Sequence, residues 1–253
     1  MAETSSEPIP NEPATYLIVR GKKASEKAAF KDLLTKTKTL LAIAEYPITR
    51  YETKSGLNYR YFDTFDAKLA ELGIFTYLAP THNEGVKIPE LRGCEYVLNV
   101  DFPPSRVKSA ETYQLPIPSG TDLFQLRPDD FRFWPAISRA RQAGRNMPLQ
   151  EMLRLEVEAN TFVLQQEGED RVLISLDNIA ATGPFNVARR FYEMVVKPLT
   201  GGPDEVQVIA SYFRQHYRAS LRICQHPRWR NAIQLIKQGR IEAAEIVDKD
   251  REA

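Results

Sequence analysis

Most apolar residues of this chain fall in short β-like runs, and the longer helical spacings are one early stretch, one basic run and the C-terminal end. The first run is TYLIVR at residues 15–20. After GKK, Ser25 is placed as an N-cap, and Ala28, Ala29, Phe30, Leu33 and Leu34 then recur with helical spacing to about residue 41. Strands are predicted at about 45–52, 58–62, 74–78 and 96–102, the last ended by Pro103 and Pro104. Residues 108–117 read as a further strand, SGTD at 119–122 as a turn, and 139–145 as a basic helical run. The stretch 150–165 reads as helix turning into strand near Arg154, followed by a hairpin over EGED at 167–170. A long strand at about 185–196 precedes the loop PLTGGPDE, and helices are predicted at about 205–215 and 229–246.

Many strands with helices at the two ends imply an α+β protein with an antiparallel sheet, since a parallel sheet needs a crossover helix between its strands. The expected organisation is a disordered, acidic and proline-bearing tail at 1–13 and one domain over 14–253. That domain carries an insertion at about 119–150 and a C-terminal helical segment at about 204–247.

Composition narrows the function classes. Lys and Arg number 34 against 33 Asp and Glu, so the formal charge of +1 gives no global attraction to nucleic acid or membrane. The basic aromatic run at 214–231 is read as a packed amphipathic helix with solvated arginines, and nucleic acid is disfavoured as a partner. No apolar run reaches the roughly 18 residues of a membrane helix, and no membrane partner is expected. Cys94 and Cys224 stand far apart without a CxxC spacing, and three histidines complete the thiol and imidazole inventory. A structural zinc site and a disulfide framework are therefore disfavoured, and a reducing, cytoplasmic location is expected.

The segment 59–74, YRYFDTFDAKLAELGI, carries the most specific pattern. Its tyrosines and Phe62 are strand formers, Asp63 and Thr64 are turn-capping side chains, Leu69 and Leu72 share a short helical stripe, and Gly73 stops it. The segment resembles the YFDT-x-D-x-x-L-x-x-x-G-I signature of the CYTH, or triphosphate tunnel, superfamily. Three later segments, at 172–179 (VLISLDNI), 188–205 and 225–236, resemble that family's later elements in the same order. The resemblance implies a closed or nearly closed antiparallel β-barrel, with paired carboxylates for Mg²⁺ or Mn²⁺ and a lining of Lys and Arg for phosphate.

The departures matter as much. The family's first strand carries Glu-x-Glu-x-Lys, whose period of two aims all three side chains at one face. The resemblance puts Tyr16, Ile18 and Arg20 at those positions, so both carboxylates are gone. A basic strand is replaced by IFTYLAP, a Lys by Asp101 and an Arg by Asn160, while Glu193, Val195 and Lys197 stand in the last strand. Arg20, Arg60, Lys108 and Lys197 remain as phosphate-binding candidates, and Asp177, Glu193 and Glu111 as metal-ligand candidates. With so few oxygens, basic side chains are favoured over a metal as the neighbours of Asp177 and Glu193.

The expected function is a diverged tunnel-type protein that binds an anionic, phosphorylated small molecule, its usual metal-binding carboxylates largely lost. Two alternatives stay open: a metal-dependent triphosphatase or nucleotidyl cyclase with a rearranged site, and a non-catalytic scaffold with a protein partner or a second copy. An exposed cluster of Phe124, Phe131, Phe133 and Trp134 would favour the scaffold. A cavity gathering Arg20, Lys197, Glu193 and Asp177 would favour ligand binding.

Overall fold

A computed structural model describes residues 14–19, 25–43, 47–81, 94–104, 109–123, 125–183, 188–224, 228 and 230–234. The tail at 1–13, Arg20, Lys108, Phe124 and the last part of the expected C-terminal helix lie outside these residues. The strands are β1 (Ala14–Ile18), β2 (Ile48–Asp63), β3 (Phe75–Pro80), β4 (Cys94–Phe102), β5 (Glu111–Pro118), β6 (Gln150–Gln166), β7 (Glu169–Thr182), β8 (Ala188–Pro198) and β9 (Leu221–Ile223). The helices are α1 (Glu26–Ile43), α2 (Lys68–Glu71), α3 (Pro135–Ala143) and α4 (Pro203–His216).

The strands hydrogen-bond in the order β5-β4-β3-β2-β6-β7-β8-β1-β9. The sheet is antiparallel, as the chain's many strands and terminal helices imply. Three sequence readings change. The 214–231 run, expected as an amphipathic helix within a helical segment at about 204–247, leaves α4 at His216 and forms β9 at Leu221–Ile223, which pairs with β1. Residues 48–52 and 58–62 belong to one strand, β2, which runs on through Gly56 at a positive φ of 71° that glycine adopts without steric cost. Residues 150–166 are strand throughout, without the helical start, because Leu153, Leu155, Val157 and Ala159 alternate strictly into a buried row.

The chain forms two compact units. The described part of the first comes from residues 14–56, 157–179 and 190–224, and that of the second from 57–156, 180–189 and 228–234. In the first, the even-numbered residues of β7, β8 and β1 (Ile174, Leu176, Tyr192, Met194, Val196, Tyr16 and Ile18) pack against α1 and α4. α1 offers Ala29, Phe30 and Leu33, and α4 offers Val206, Ile209, Ala210 and Phe213, the i, i+3, i+4, i+7 stripe of an amphipathic helix. α4 begins after Gly202, with Pro203 at its first position. The Glu205 carboxylate accepts the Gly202 N–H at 2.8 Å and holds Arg171 through two bonds of 3.0 and 3.1 Å.

In the second unit, Phe62, Leu78, Leu98, Val100, Phe102 and Ile117 pack against Leu69 of α2 and Ala136, Ile137 and Ala140 of α3. Residues 125–150 thus contribute a short 3₁₀ turn at Pro128–Phe131 and α3 to this core.

Candidate functional site

The 59–74 segment folds as its sequence implies. Asp63 is buried at the end of β2, and its carboxylate accepts the backbone N–H groups of Thr64 at 2.7 Å, Leu69 at 2.9 Å and Ala70 at 2.9 Å. The Thr64 hydroxyl donates to Asp66 at 2.7 Å and accepts the Lys68 N–H at 2.9 Å. These bonds satisfy the orphan donors at the start of α2. Its other end closes as a Schellman motif: the Ile74 N–H reaches Leu69 O, the Gly73 N–H reaches Ala70 O, and Gly73 takes φ 71°. α3 ends directly against this turn, and a Cβ on Gly144 would lie 2.8 Å from Thr64 Cγ2. Asp63 and Asp66 are turn carboxylates, as the sequence suggests; the signature organises the fold.

The first-strand positions need a correction. In the β1–β8 register Leu17 lies opposite Glu193 and Thr15 opposite Val195, whereas Tyr16 and Ile18 lie opposite Met194 and Tyr192. Tyr16 and Ile18 therefore point into the helix-packed core instead of sharing a face with Glu193. The face with Glu193 carries Thr15 and Leu17 from β1. TYLIVR is apolar on both faces over most of its length, so its phase is not fixed by alternation, and a slip of one residue exchanges the faces. The correction does not bring back a carboxylate.

Asp177 differs from a strand-end turn residue: it lies inside β7. The Ser175 hydroxyl, two residues earlier on the same face, donates to it. Because Ile174 and Leu176 face the helix-packed core together with Met194, Asp177 and Glu193 share the opposite face. Asp177 is 2% exposed and Glu193 0%. Lys197 has the same phase as Glu193 and Val195 on β8. The structure thus brings Asp177, Glu193 and Lys197 to one sheet face of the first unit and adds Ser175, which the sequence reading missed. Its spacing of two from Asp177 is the signal that would have found it.

The remaining candidates are engaged elsewhere. Glu111, on β5 of the second unit, pairs with Arg139 of α3, whose guanidinium also lies 3.9 Å from the centre of the Phe102 ring. Arg60 is buried; its Nε pairs with Glu151, and one Nη donates to the carbonyls of Leu123 and Leu126. Glu151 also takes Arg154 at 2.9 Å. Arg60 thereby ties the 119–150 segment to its unit. Asn160 accepts hydrogen bonds from Tyr51 and Thr53, both at 3.1 Å. Phe131 and Trp134 pack against the second core, and Phe133, 85% exposed, is not part of an exposed cluster with them.

Among the described residues no three His, Cys, Asp or Glu side chains gather as a metal-binding set. Asp177 and Glu193 supply two hard oxygen donor groups, which suits a cation that keeps waters and brings further oxygens of its own. No helix among the described residues is long and apolar enough to cross a membrane.

No protein-family profile matches the chain, and no curated protein matches it in sequence. Among solved structures, it is similar to a Hippeastrum protein assigned as an adenylyl cyclase and described as having a dominant triphosphatase activity. That match has 12% identity, covers 90% of this chain and 95% of that one, and has a TM-score of 0.46. A Bacillus halodurans protein assigned as an adenylate cyclase matches with 13% identity, 87% and 97% coverage and a TM-score of 0.48. A mimivirus capping-enzyme triphosphatase matches with 7% identity, 81% and 87% coverage and a TM-score of 0.37.

Proposed function

We propose that this chain is a diverged triphosphate-tunnel-type protein that binds an anionic, phosphorylated small molecule together with the divalent cation that such a molecule carries in solution. The binding face is that of β1, β7 and β8 bearing Thr15, Leu17, Ser175, Asp177, Glu193 and Lys197. One observation carries the reading: Asp177 and Glu193 lie on the same face of the first unit and are both buried. Burying two carboxylates is costly, and a cation offsets that cost best when it is shared between them. Mg²⁺ is typically held by one or two carboxylates plus phosphate oxygens, so two carboxylates are enough when the ligand completes the shell.

Each residue has a definable part. Asp177 and Glu193 hold the cation, and the Ser175 hydroxyl fixes the Asp177 carboxylate by donating to it. Lys197, of the same phase, supplies a positive charge for a phosphate oxygen. Arg60 and Glu111 are left to structural pairs in the second unit. In this reading the cation arrives with the ligand, which differs from the expectation that basic side chains alone balance the carboxylates.

The experiment is a thermal-unfolding series with tripolyphosphate alone, Mg²⁺ alone and both together. Only the combination is expected to stabilise, by about 2.7 kcal/mol at 100 times the Kd. Glu193→Gln and Asp177→Asn, each nearly isosteric, should remove that response. Stabilisation by tripolyphosphate without Mg²⁺, retained in Glu193→Gln, would overturn the reading.

A further inference from the structure

Strand pairing adds an arginine to the face that bears Asp177 and Glu193. β1 lies between β9 and β8, and its Leu17 stands opposite Arg222 on one side and opposite Glu193 on the other. Arg222, Leu17 and Glu193 therefore form one cross-strand row, all within the first unit. The flanking residues fix which way this row faces. Leu221 lies opposite Ile18, and both are buried in the core against α1 and α4, so Arg222 projects from the other side of the sheet. The pairing continues past the row, where the Cys224 N–H donates to Thr15 O at 2.8 Å. Along the row, exposure rises from fully buried Glu193 through half-buried Leu17 to exposed Arg222. Among the described residues, no hydrogen bond or ion pair engages the Arg222 guanidinium.

We propose that Arg222 is a phosphate-binding residue of this face, and that it makes the site one for a chain of linked phosphates in preference to a single phosphate. The inference rests on the reading of Asp177 and Glu193 as the pair that holds the cation. Arg222 is two strand spacings from Glu193, about 10 Å between Cα atoms. Lys197 is four residues along β8 from Glu193, about 13 Å. From the cation, Lys197 thus lies along the strand and Arg222 across the sheet. One phosphate bound to the cation does not reach both, whereas linked phosphates do. Charge then alternates along the row as carboxylate, cation, phosphate and guanidinium. The planar guanidinium fork suits a terminal phosphate, which it takes through two parallel hydrogen bonds. A charged residue on the last strand of the pairing order also discourages pairing with another chain. That task is served from either face of the strand; the phase shared with Glu193 is what a ligand requires.

The test uses the full chain in thermal unfolding with excess Mg²⁺, titrating tripolyphosphate and, in parallel, orthophosphate. The wild type is expected to bind tripolyphosphate more tightly than orthophosphate. Arg222→Gln should weaken tripolyphosphate binding at least about tenfold, the loss of a charge-assisted, two-bond contact. Arg222→Lys keeps the charge without the fork and should fall between the two. Arg218→Gln removes another exposed positive charge, from the turn before β9, and should bind as the wild type does. Far-ultraviolet circular dichroism confirms that each variant is folded. Undiminished tripolyphosphate binding in Arg222→Gln, an equal loss in Arg218→Gln, or equal wild-type affinity for the two anions would overturn the proposal. A response abolished by Glu193→Gln and intact in Arg222→Gln overturns the role of Arg222 alone, whereas a wild type that does not respond overturns both readings.

Discussion

In the first unit the strand face away from α1 and α4 carries the buried carboxylates Asp177 and Glu193; in the second, the face away from α3 carries Tyr61, Tyr77, Asn99 and Asp101. Both units fold by the same means, an alternating strand whose apolar side is sealed by amphipathic helices. They differ in what their charged groups do. In the second unit Arg60, Glu151 and Asp63 are tied into bonds that hold a turn or a segment in place. In the first unit Asp177 and Glu193 lie inside strands, at positions where a sheet needs no carboxylate for its geometry. A buried charge that organises no turn is the stronger candidate for binding.

The comparison breaks most visibly if Arg60 proves dispensable. Arg60→Ala leaves the Leu123 and Leu126 carbonyls and part of Glu151 without their donor, and a loss of about 3 kcal/mol is expected in urea unfolding. Asp63→Ala removes the acceptor for three backbone N–H groups at the start of α2 and should cost about 2 kcal/mol. Asp63→Asn, which keeps one acceptor oxygen, should recover part of that loss.

Gly144→Ala sharpens the role of the 119–150 segment. The added Cβ would press on Thr64 Cγ2, so a loss of about 1–2 kcal/mol is expected. Thr64→Ser removes that methyl, and the double variant should then lose less than the sum of the two single changes. Strict additivity would show that α3 does not seat on the turn as described.

The smallest effect concerns Glu205 in the first unit. The Arg171 guanidinium, followed by the Gly202 N–H, holds its carboxyl below the usual value of 4.5. A folded value below the unfolded one stabilises the fold above about pH 4.5, and that contribution fades as pH falls through the lowered value. Glu205→Gln should therefore lower Tm slightly at pH 7, with the difference closing in acid. A difference that grows as pH falls would have the wrong sign.

What the sequence discloses tracks how strongly each residue is constrained locally. The 59–74 turn was legible because Asp63, Thr64 and Gly73 each have few conformational alternatives, and α1 because Ala29, Phe30 and Leu33 repeat at helical spacing. Asp177 and Glu193 stand out in the sequence, but their common face depends on which alternate residues of β7 and β8 meet the helices, a tertiary fact. The phase of β1 is not legible in the sequence, because Tyr16, Leu17, Ile18 and Val19 are all apolar and give no alternation. The start of β6 reads as helix because Met152, Leu153, Leu155 and Glu156 suit either period over so short a span. The engagement of Arg60 with Glu151, 91 residues away, had no local signal at all.

The central claim is that Asp177 and Glu193 together hold a divalent cation brought by a phosphorylated ligand. Mn²⁺ substitutes for Mg²⁺ at carboxylate and phosphate oxygens and reports its surroundings directly by electron paramagnetic resonance. With tripolyphosphate present, adding the wild-type chain should broaden the Mn²⁺ spectrum in a saturable way, and Glu193→Gln, folded and about as stable as the wild type, should abolish the change. A spectrum that responds equally to the wild type and to Glu193→Gln, or to neither, would contradict the claim.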